Sequence, residues 1–217
     1  MRRFNVVLSV FFAFVLLLVP FAYYALSNSY HEKVLFRLGV LQSQDNDVAL
    51  DNVASYLDGS SELDQNIFSE REILHMADVK LLLDILRYLL MLVLTIFIVL
   101  TVFEAMSVNI LSIAWTALVG AGVAFVASLL KLLFWGLAFR PLFVLFHKIF
   151  FMNDFWVLGG TSKLILLFPE QFFKSIVISS ILTTILLSLF VAAISGAFLY
   201  NSHIQDKKSW GKLWRVY

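Results

Sequence analysis

Two histidines, His75 and His147, are the residues of this chain best suited to proton-transfer chemistry. Each stands beside a long apolar run with other ionisable groups close by. Imidazole changes protonation near neutral pH, so a facing pair can serve as general base and general acid. His75 lies in FSEREILHMADVK, where Ser69 and Glu72 form an S-x-x-E capping-box pattern at a helix start. At helical spacing Glu72 and His75 share a face, with Asp78 beside them, so both carboxylates are candidate substrate contacts that favour a charged His75. His147 sits in FVLFHKIFFMND, with phenylalanines on both sides. An apolar surround disfavours a charged imidazole, and a neutral one is what a general base requires. Asn153 follows closely and can orient a substrate amide; Trp156 reads as an interfacial anchor and a further candidate substrate contact. A plainer reading stays open for each: polar residues of a helix leaving a bilayer, and an imidazole tip among lipid headgroups.

The elements that must carry these residues are apolar. Of 217 residues 61% are hydrophobic and 14% charged, with mean hydropathy +0.89. Soluble domains are about half apolar and about a quarter charged, so this chain reads as a polytopic membrane protein. A spanning helix needs about 20 apolar residues. Residues 4–26, 79–103, 108–135 (extending toward 139) and 176–200 qualify. The first follows Met-Arg-Arg, exceeds the apolar core of a signal peptide and lacks a clear small-x-small site, so it reads as an uncleaved span. The expected fold is an all-α membrane protein, residues 1–217 as a single integral domain with four transmembrane helices.

Two longer connections remain. Residues 27–78 are acidic and carry the turn signal Asp58-Gly59, which suggests a small extracellular loop domain of short amphipathic elements. Residues 140–175 are too polar to span cleanly and too apolar to float in water. Pro141 suits a helical first turn, Gly159-Gly160 is expected to break that helix, and Pro169 to break the chain again. This predicts a re-entrant or interfacial helical hairpin in the outer leaflet before the last helix. Arg2 and Arg3 at one end, and Lys207, Lys208, Lys212 and Arg215 at the other, place both termini in the cytoplasm and both histidine segments outside.

Intramembrane charges are functional candidates by default, and Asp84 and Arg87 lie three apart inside the second span, as a structural or functional charge pair. Gly120-Ala121-Gly122 fits close helix packing. The absence of cysteine excludes a thiol nucleophile, a disulfide framework and thiolate zinc sites. No G-x-S-x-G elbow, H-E-x-x-H, P-loop or Rossmann glycine pattern occurs. A net charge of +1 gives no nucleic-acid footprint. Two imidazoles with carboxylates keep a metal-dependent hydrolase open, although no metal is expected; a non-catalytic scaffold or lipid-binding protein is the main alternative to an enzyme.

Two blocks carry a more specific signal. FSEREILHMADVKLL (68–82), then LFHKIFFMNDFW followed by LILLFPEQFF (145–173), in this order on a four-span frame, resemble the lipoprotein intramolecular transacylases, Lit. Asn52 with Tyr56-Leu57 agrees, which adds Tyr56 to the candidate substrate contacts. The chain departs from the family pattern at Arg140-Pro141, where an acidic residue is common, and at GGTSK, where an Asp is common. Both histidines are retained. The resemblance implies a cell-membrane acyltransferase acting on diacylated bacterial lipoproteins with a free N-terminal cysteine. It would move the sn-2 acyl chain from glycerol to the cysteine α-amine and leave a lyso-form lipoprotein, with no cofactor. His147 would be the base and His75 the oxyanion stabiliser or acid.

Overall fold

The computed structural model describes residues 3–107 and 110–213, with side chains from Asn5 to Met106 and from Ile110 to Gln205. Arg2, Arg3, Lys207, Lys208, Lys212, Arg215 and the Val108 start of the third span therefore lie outside the residues whose side chains are described. Among the described residues the fold is helical: α1 (Arg3–Leu26), α2 (Asn28–Arg37), a 3-10 turn (Val40–Gln42), α3 (Gln44–Asp58), α4 (Glu70–Ser107), α5 (Ile110–Phe150), α6 (Lys163–Leu167) and α7 (Glu170–Leu213). Four of these, over Asn5–Leu26, Glu70–Met106, Ile110–Phe150 and Glu170–Gln205, are long and apolar enough to cross a membrane. In the second only 11% of the most apolar window is buried by protein, so its Leu, Ile and Val side chains need lipid as their solvent.

The helices outrun the spans read from hydropathy. Residues 104–107 continue α4 instead of forming a connection. The largest difference is in residues 140–175: α5 runs on to Phe150, well short of Gly159-Gly160. It breaks instead at Ala138 (φ −137°, ψ 37°). Pro141 lacks the N–H that would bond the carbonyl one turn back and begins a new helical segment there. The end after Phe150 is set by Asn153, whose Oδ1 accepts the Phe155 N–H at 3.0 Å in an Asx turn. Ser162 caps α6, and Pro169 precedes α7.

The chain divides into two compact units. The first comprises residues 1–20, 90–131 and 181–217. Its core is Ala13, Leu16, Ala121 and Ala124, with Phe12, Leu17, Val191 and Ala192 against it. Small side chains allow close backbone approach: a Cβ on Gly120 would stand 2.7 Å from the Ser9 carbonyl oxygen, while one on Gly122 would meet nothing within 4 Å. Thr184 donates to the Leu16 carbonyl at 3.1 Å across the same core. Such contacts substitute for the hydrophobic drive that lipid removes.

The second unit comprises residues 21–89 and 132–180. Residues 27–78 are largely helical here. Ser27 caps α2 by accepting from the Tyr30 N–H, and Gly59 (φ 82°) ends α3 in the left-handed conformation that favours glycine. Asn52 fixes the following loop by donating to the Glu62 carbonyl at 3.0 Å and accepting from the Asp64 N–H at 2.9 Å. Ala49, Val53, Tyr56, Leu63, Phe68, Met76, Leu164 and Leu167 form the main core. A smaller one joins Val34 and Leu35 to Phe172 and Ile176, and the Tyr30 hydroxyl reaches the Ser175 carbonyl at 2.9 Å beside it.

Gly120→Ala must push two backbones apart, a cost of about 1–3 kcal/mol by overpacking. Gly122→Ala has room. Thermal unfolding in detergent should show a clear drop in Tm for the first and none for the second; equal effects would refute the close approach at Gly120.

Candidate active site

His75 is held by the first turns of α4. Ser69 and Glu72 close the capping box: Glu72 Oε2 accepts the Ser69 N–H at 2.8 Å and the Ser69 hydroxyl at 2.7 Å. The other oxygen, Oε1, accepts the Ser162 hydroxyl at 2.6 Å and the Leu164 N–H at 3.0 Å. Glu72 is buried, and all four of these bonds come from protein donors. Of this expected substrate contact, one oxygen closes the start of α4 and the other joins α4 to the start of α6.

The segment between α5 and α6 is tied to α4 twice more. Asn153 donates to Asp78 Oδ2 at 2.9 Å, and Arg71 donates to the Asp154 carbonyl. Asp78 and Asn153, both expected at the site, therefore meet each other. The segment carries Trp156 onto His147, ring centroids 5.1 Å apart.

His147 occupies the last turns of α5, on the segment beyond the Ala138 break. Its Nδ1 lies 2.8 Å from the Phe143 carbonyl. A carbonyl only accepts, so Nδ1 carries the proton, and a neutral ring presents its lone pair on Nε2. Phe143, Phe146 and Phe151 join Trp156 around it, at centroid distances of 4.4, 5.5 and 5.4 Å.

The two imidazoles come together. Their ring centroids are 6.1 Å apart with planes inclined by 35°, and Phe151 packs edge-on against His75 at 5.2 Å. Both rings are buried, at 9% and 8% exposure. The expectation that Glu72 and Asp78 would hold a proton on His75 is not met. Among the described residues no carboxylate ion-pairs with His75, and its Nδ1 is buried without a partner. Glu72 is turned to Ser162, and Asp78 to Asn153.

Two other candidates lie elsewhere. Tyr56 is buried in the α3 core with Leu63, Phe68 and Met76; Lys80 sits 4.5 Å over its ring and donates to its carbonyl at 2.7 Å. Its packing is that of a core residue. Asp84 and Arg87 pair at 2.6 Å, both partly exposed. Asp84 is some 13 Å along the helix axis from His75, at 1.5 Å per residue, so the pair stands apart from the two imidazoles. His31 donates from Nε2 to the Tyr24 carbonyl at 2.9 Å. Burial lowers its pKa, against smaller raising effects of that bond and of Glu32. Among the described residues no three His, Cys, Asp or Glu side chains group as metal ligands.

Sequence reasoning missed Ser162, the Leu164 N–H, Arg71 and the Phe143 carbonyl. Ser162 was legible as a helix cap ahead of Lys163-Leu164-Ile165, but its pairing with Glu72 has no sequence signature.

The architecture has solved counterparts. A membrane-integral lipoprotein intramolecular transacylase Lit from Bacillus cereus matches with TM-score 0.75 and 21% identity, over 96% of this chain and 97% of that one. The same Bacillus cereus protein with one histidine replaced by arginine matches at TM-score 0.71 and 20% identity, over 94% of each chain. Its alanine counterpart matches at TM-score 0.71 and 20% identity, over 94% of this chain and 95% of that one. No match is found among curated proteins. The family model described as "Lipoprotein intramolecular transacylase Lit" matches residues 3–173, most of the chain. The chain belongs to the lipoprotein intramolecular transacylase family.

Proposed function

We propose that this chain converts a diacylglyceryl lipoprotein to its lyso form, with His147 as general base and His75 as oxyanion donor. The observation that carries the assignment is the facing pair, 6.1 Å apart, with the His147 tautomer fixed by the Phe143 carbonyl. The α-amine of the N-terminal cysteine has an ordinary pKa of about 7.7–8.0, so part of it is already nucleophilic at neutral pH. Its nitrogen attacks the carbonyl carbon of the sn-2 ester while His147 Nε2 takes the amine proton. The ester C–O bond then breaks, the amide forms, and the proton returns to the glycerol oxygen as hydroxyl. No group from outside the substrate is consumed.

His75 serves this sequence as a neutral N–H donor, not as a charged acid. With its proton on Nε2, the buried Nδ1 presents only a lone pair, which is less costly to bury unpaired than an N–H. The Nε2–H then stabilises the oxyanion of the tetrahedral intermediate. Donor and acceptor belong to one substrate molecule, so positioning supplies much of the acceleration, roughly 7–11 kcal/mol in well-oriented cases. An enzyme nucleophile is unnecessary, consistent with a chain that has no cysteine.

Glu72 is a positioning residue in this reading. Its carboxylate fixes α4 against α6 and thereby the segment that lays Trp156 on His147. The acidic 27–78 segment and the basic chain ends support an extracellular active site in the cell membrane, with diacylated lipoproteins and membrane lipids as partners. The apolar outer part of residues 140–175 lies in the outer leaflet.

His147→Ala should lower conversion by about 10²–10⁴-fold without loss of folded protein, and His75→Ala should fall in the same range. Mass spectrometry of lipoprotein N-termini reads this directly. Unchanged conversion with His147→Ala would sink the assignment and favour a scaffold.

Glu72→Ala orphans the Leu164 and Ser69 N–H groups, at about 1–3 kcal/mol each, and should lower Tm and turnover together. Glu72→Gln presents an acceptor to one side only and should fall between wild type and Ala. Equal Tm for all three would remove Glu72 from the clamp.

Cysteines introduced at Asp58 and Gly160, in a chain with none of its own, should react with an impermeant thiol reagent from outside intact cells. Labelling only from the cytoplasmic side reverses the orientation.

A further inference from the structure

An open surface hollow lies on the α5 segment that carries His147, lined by Arg140, Pro141, Val144, Leu145 and Lys148. Pro141, Val144 and Leu145 give it an apolar lining, and Arg140 and Lys148 add two cationic side chains. The Arg140 side chain is 83% exposed, and its one ion pair among the described residues is made through Nε to Glu170 Oε2 at 3.5 Å. That leaves the terminal fork of the guanidinium open, the part that matches phosphate oxygens in a bidentate way. Glu170 is shared, because Lys174 holds its other oxygen at 2.8 Å. Lys148 is exposed and makes no ion pair among the described residues. Arg140, Lys148 and Lys174 against the single carboxylate of Glu170 leave this group with a surplus of two positive charges.

We propose that this hollow is a binding site for an anionic phospholipid, distinct from the site of the transacylation substrate. The phosphate sits between the Arg140 fork and the Lys148 ammonium, and an acyl chain lies along Pro141, Val144 and Leu145. Three features select this occupant. The charge is of the wrong sign for the α-ammonium of the substrate and opposes the head of a zwitterionic choline lipid. The apolar lining gives a soluble anion nothing to cover. The segment is the last part of a helix, Ile110–Phe150, long and apolar enough to span a membrane, which brings lipid to it. The inference rests on the reading that this end of α5 meets the outer leaflet. Occupancy would brace the segment that carries His147, the residue before Lys148 in the chain.

The test uses the full chain in bilayers of phosphatidylcholine, alone or mixed with phosphatidylglycerol, followed by native mass spectrometry of the lipid retained. The wild type should keep phosphatidylglycerol over phosphatidylcholine. Arg140→Gln and Lys148→Gln should each weaken that preference about fivefold, and the double variant about thirtyfold, at the usual strength of one basic side chain near an anionic surface. The charge-conserving pair Arg140→Lys with Lys148→Arg should keep most of it. Val144→Trp, which retains both charges and fills the hollow, should lose it. Equal retention of the two lipids by the wild type, or an unchanged preference in the double glutamine variant, overturns the proposal. So does displacement of the lipid by millimolar inorganic phosphate, which would make this a soluble-anion site. Transacylation measured in parallel in phosphatidylcholine alone separates the outcomes: lipid retention is read without turnover, and failure of one leaves the other standing.

Discussion

A buried carboxylate must be paired, because an unpaired charge away from water costs several kcal/mol. Glu72 meets that constraint with four donors, two from the start of its own helix and two from the start of α6. The consequence is mechanical. The donors on Ser162 and Leu164 belong to a part of the chain far from Glu72 in sequence, so satisfying the carboxylate forces that part onto α4. Once it is there, Asn153 reaches Asp78 and Arg71 reaches the Asp154 carbonyl. Three consecutive polar needs are met by one docking event, and Trp156 comes to rest on His147.

The second constraint is the break in α5. A helix continued straight through Ala138 would carry His147 in a different direction, and Pro141 prevents that by removing one backbone donor. Beyond the break the helix is regular, so the Phe143 carbonyl stands one turn before His147 and takes its Nδ1 proton. Backbone geometry, not a carboxylate, orients this imidazole. The orienting acid familiar from hydrolytic triads is replaced by a neutral acceptor, which suits a dry site where a further charge would be expensive.

That arrangement matches a reaction in which the substrate brings both nucleophile and ester. Hydrolases must activate an enzyme hydroxyl or thiol and then admit water. Here water is a competitor, since it would release the acyl chain as free acid. The phenylalanines around His147 and the edge-on Phe151 at His75 keep the pair poorly hydrated. The same apolar wall that excludes water is the natural lining for acyl chains, so packing and chemistry make the same demand on these positions.

What was legible in the sequence was local. Apolar runs of spanning length, the Ser69–Glu72 capping box, the glycine at the end of α3 and the choice of His75 and His147 all follow from short-range pattern. Short-range pattern also misled. Gly159-Gly160 looked like the helix end, but the Asx turn at Asn153 ends it first. Tyr56, a candidate contact on the family resemblance, packs into the core with Ala49 and Val53 at helical spacing and with Leu164 and Leu167 of α6, which no spacing links to it. Carboxylates close to His75 in sequence seemed able to charge it, yet among the described residues neither pairs with it, and each accepts from a distant donor. Only tertiary structure decided where hydrogen bonds between remote segments close. The second oxygen of Glu72, the Asp78–Asn153 pair and the approach of two imidazoles 72 positions apart (147 − 75) depend on that closure. Sequence spacing constrains neighbours within a turn or two of helix; which far segment satisfies a buried polar group is settled by packing.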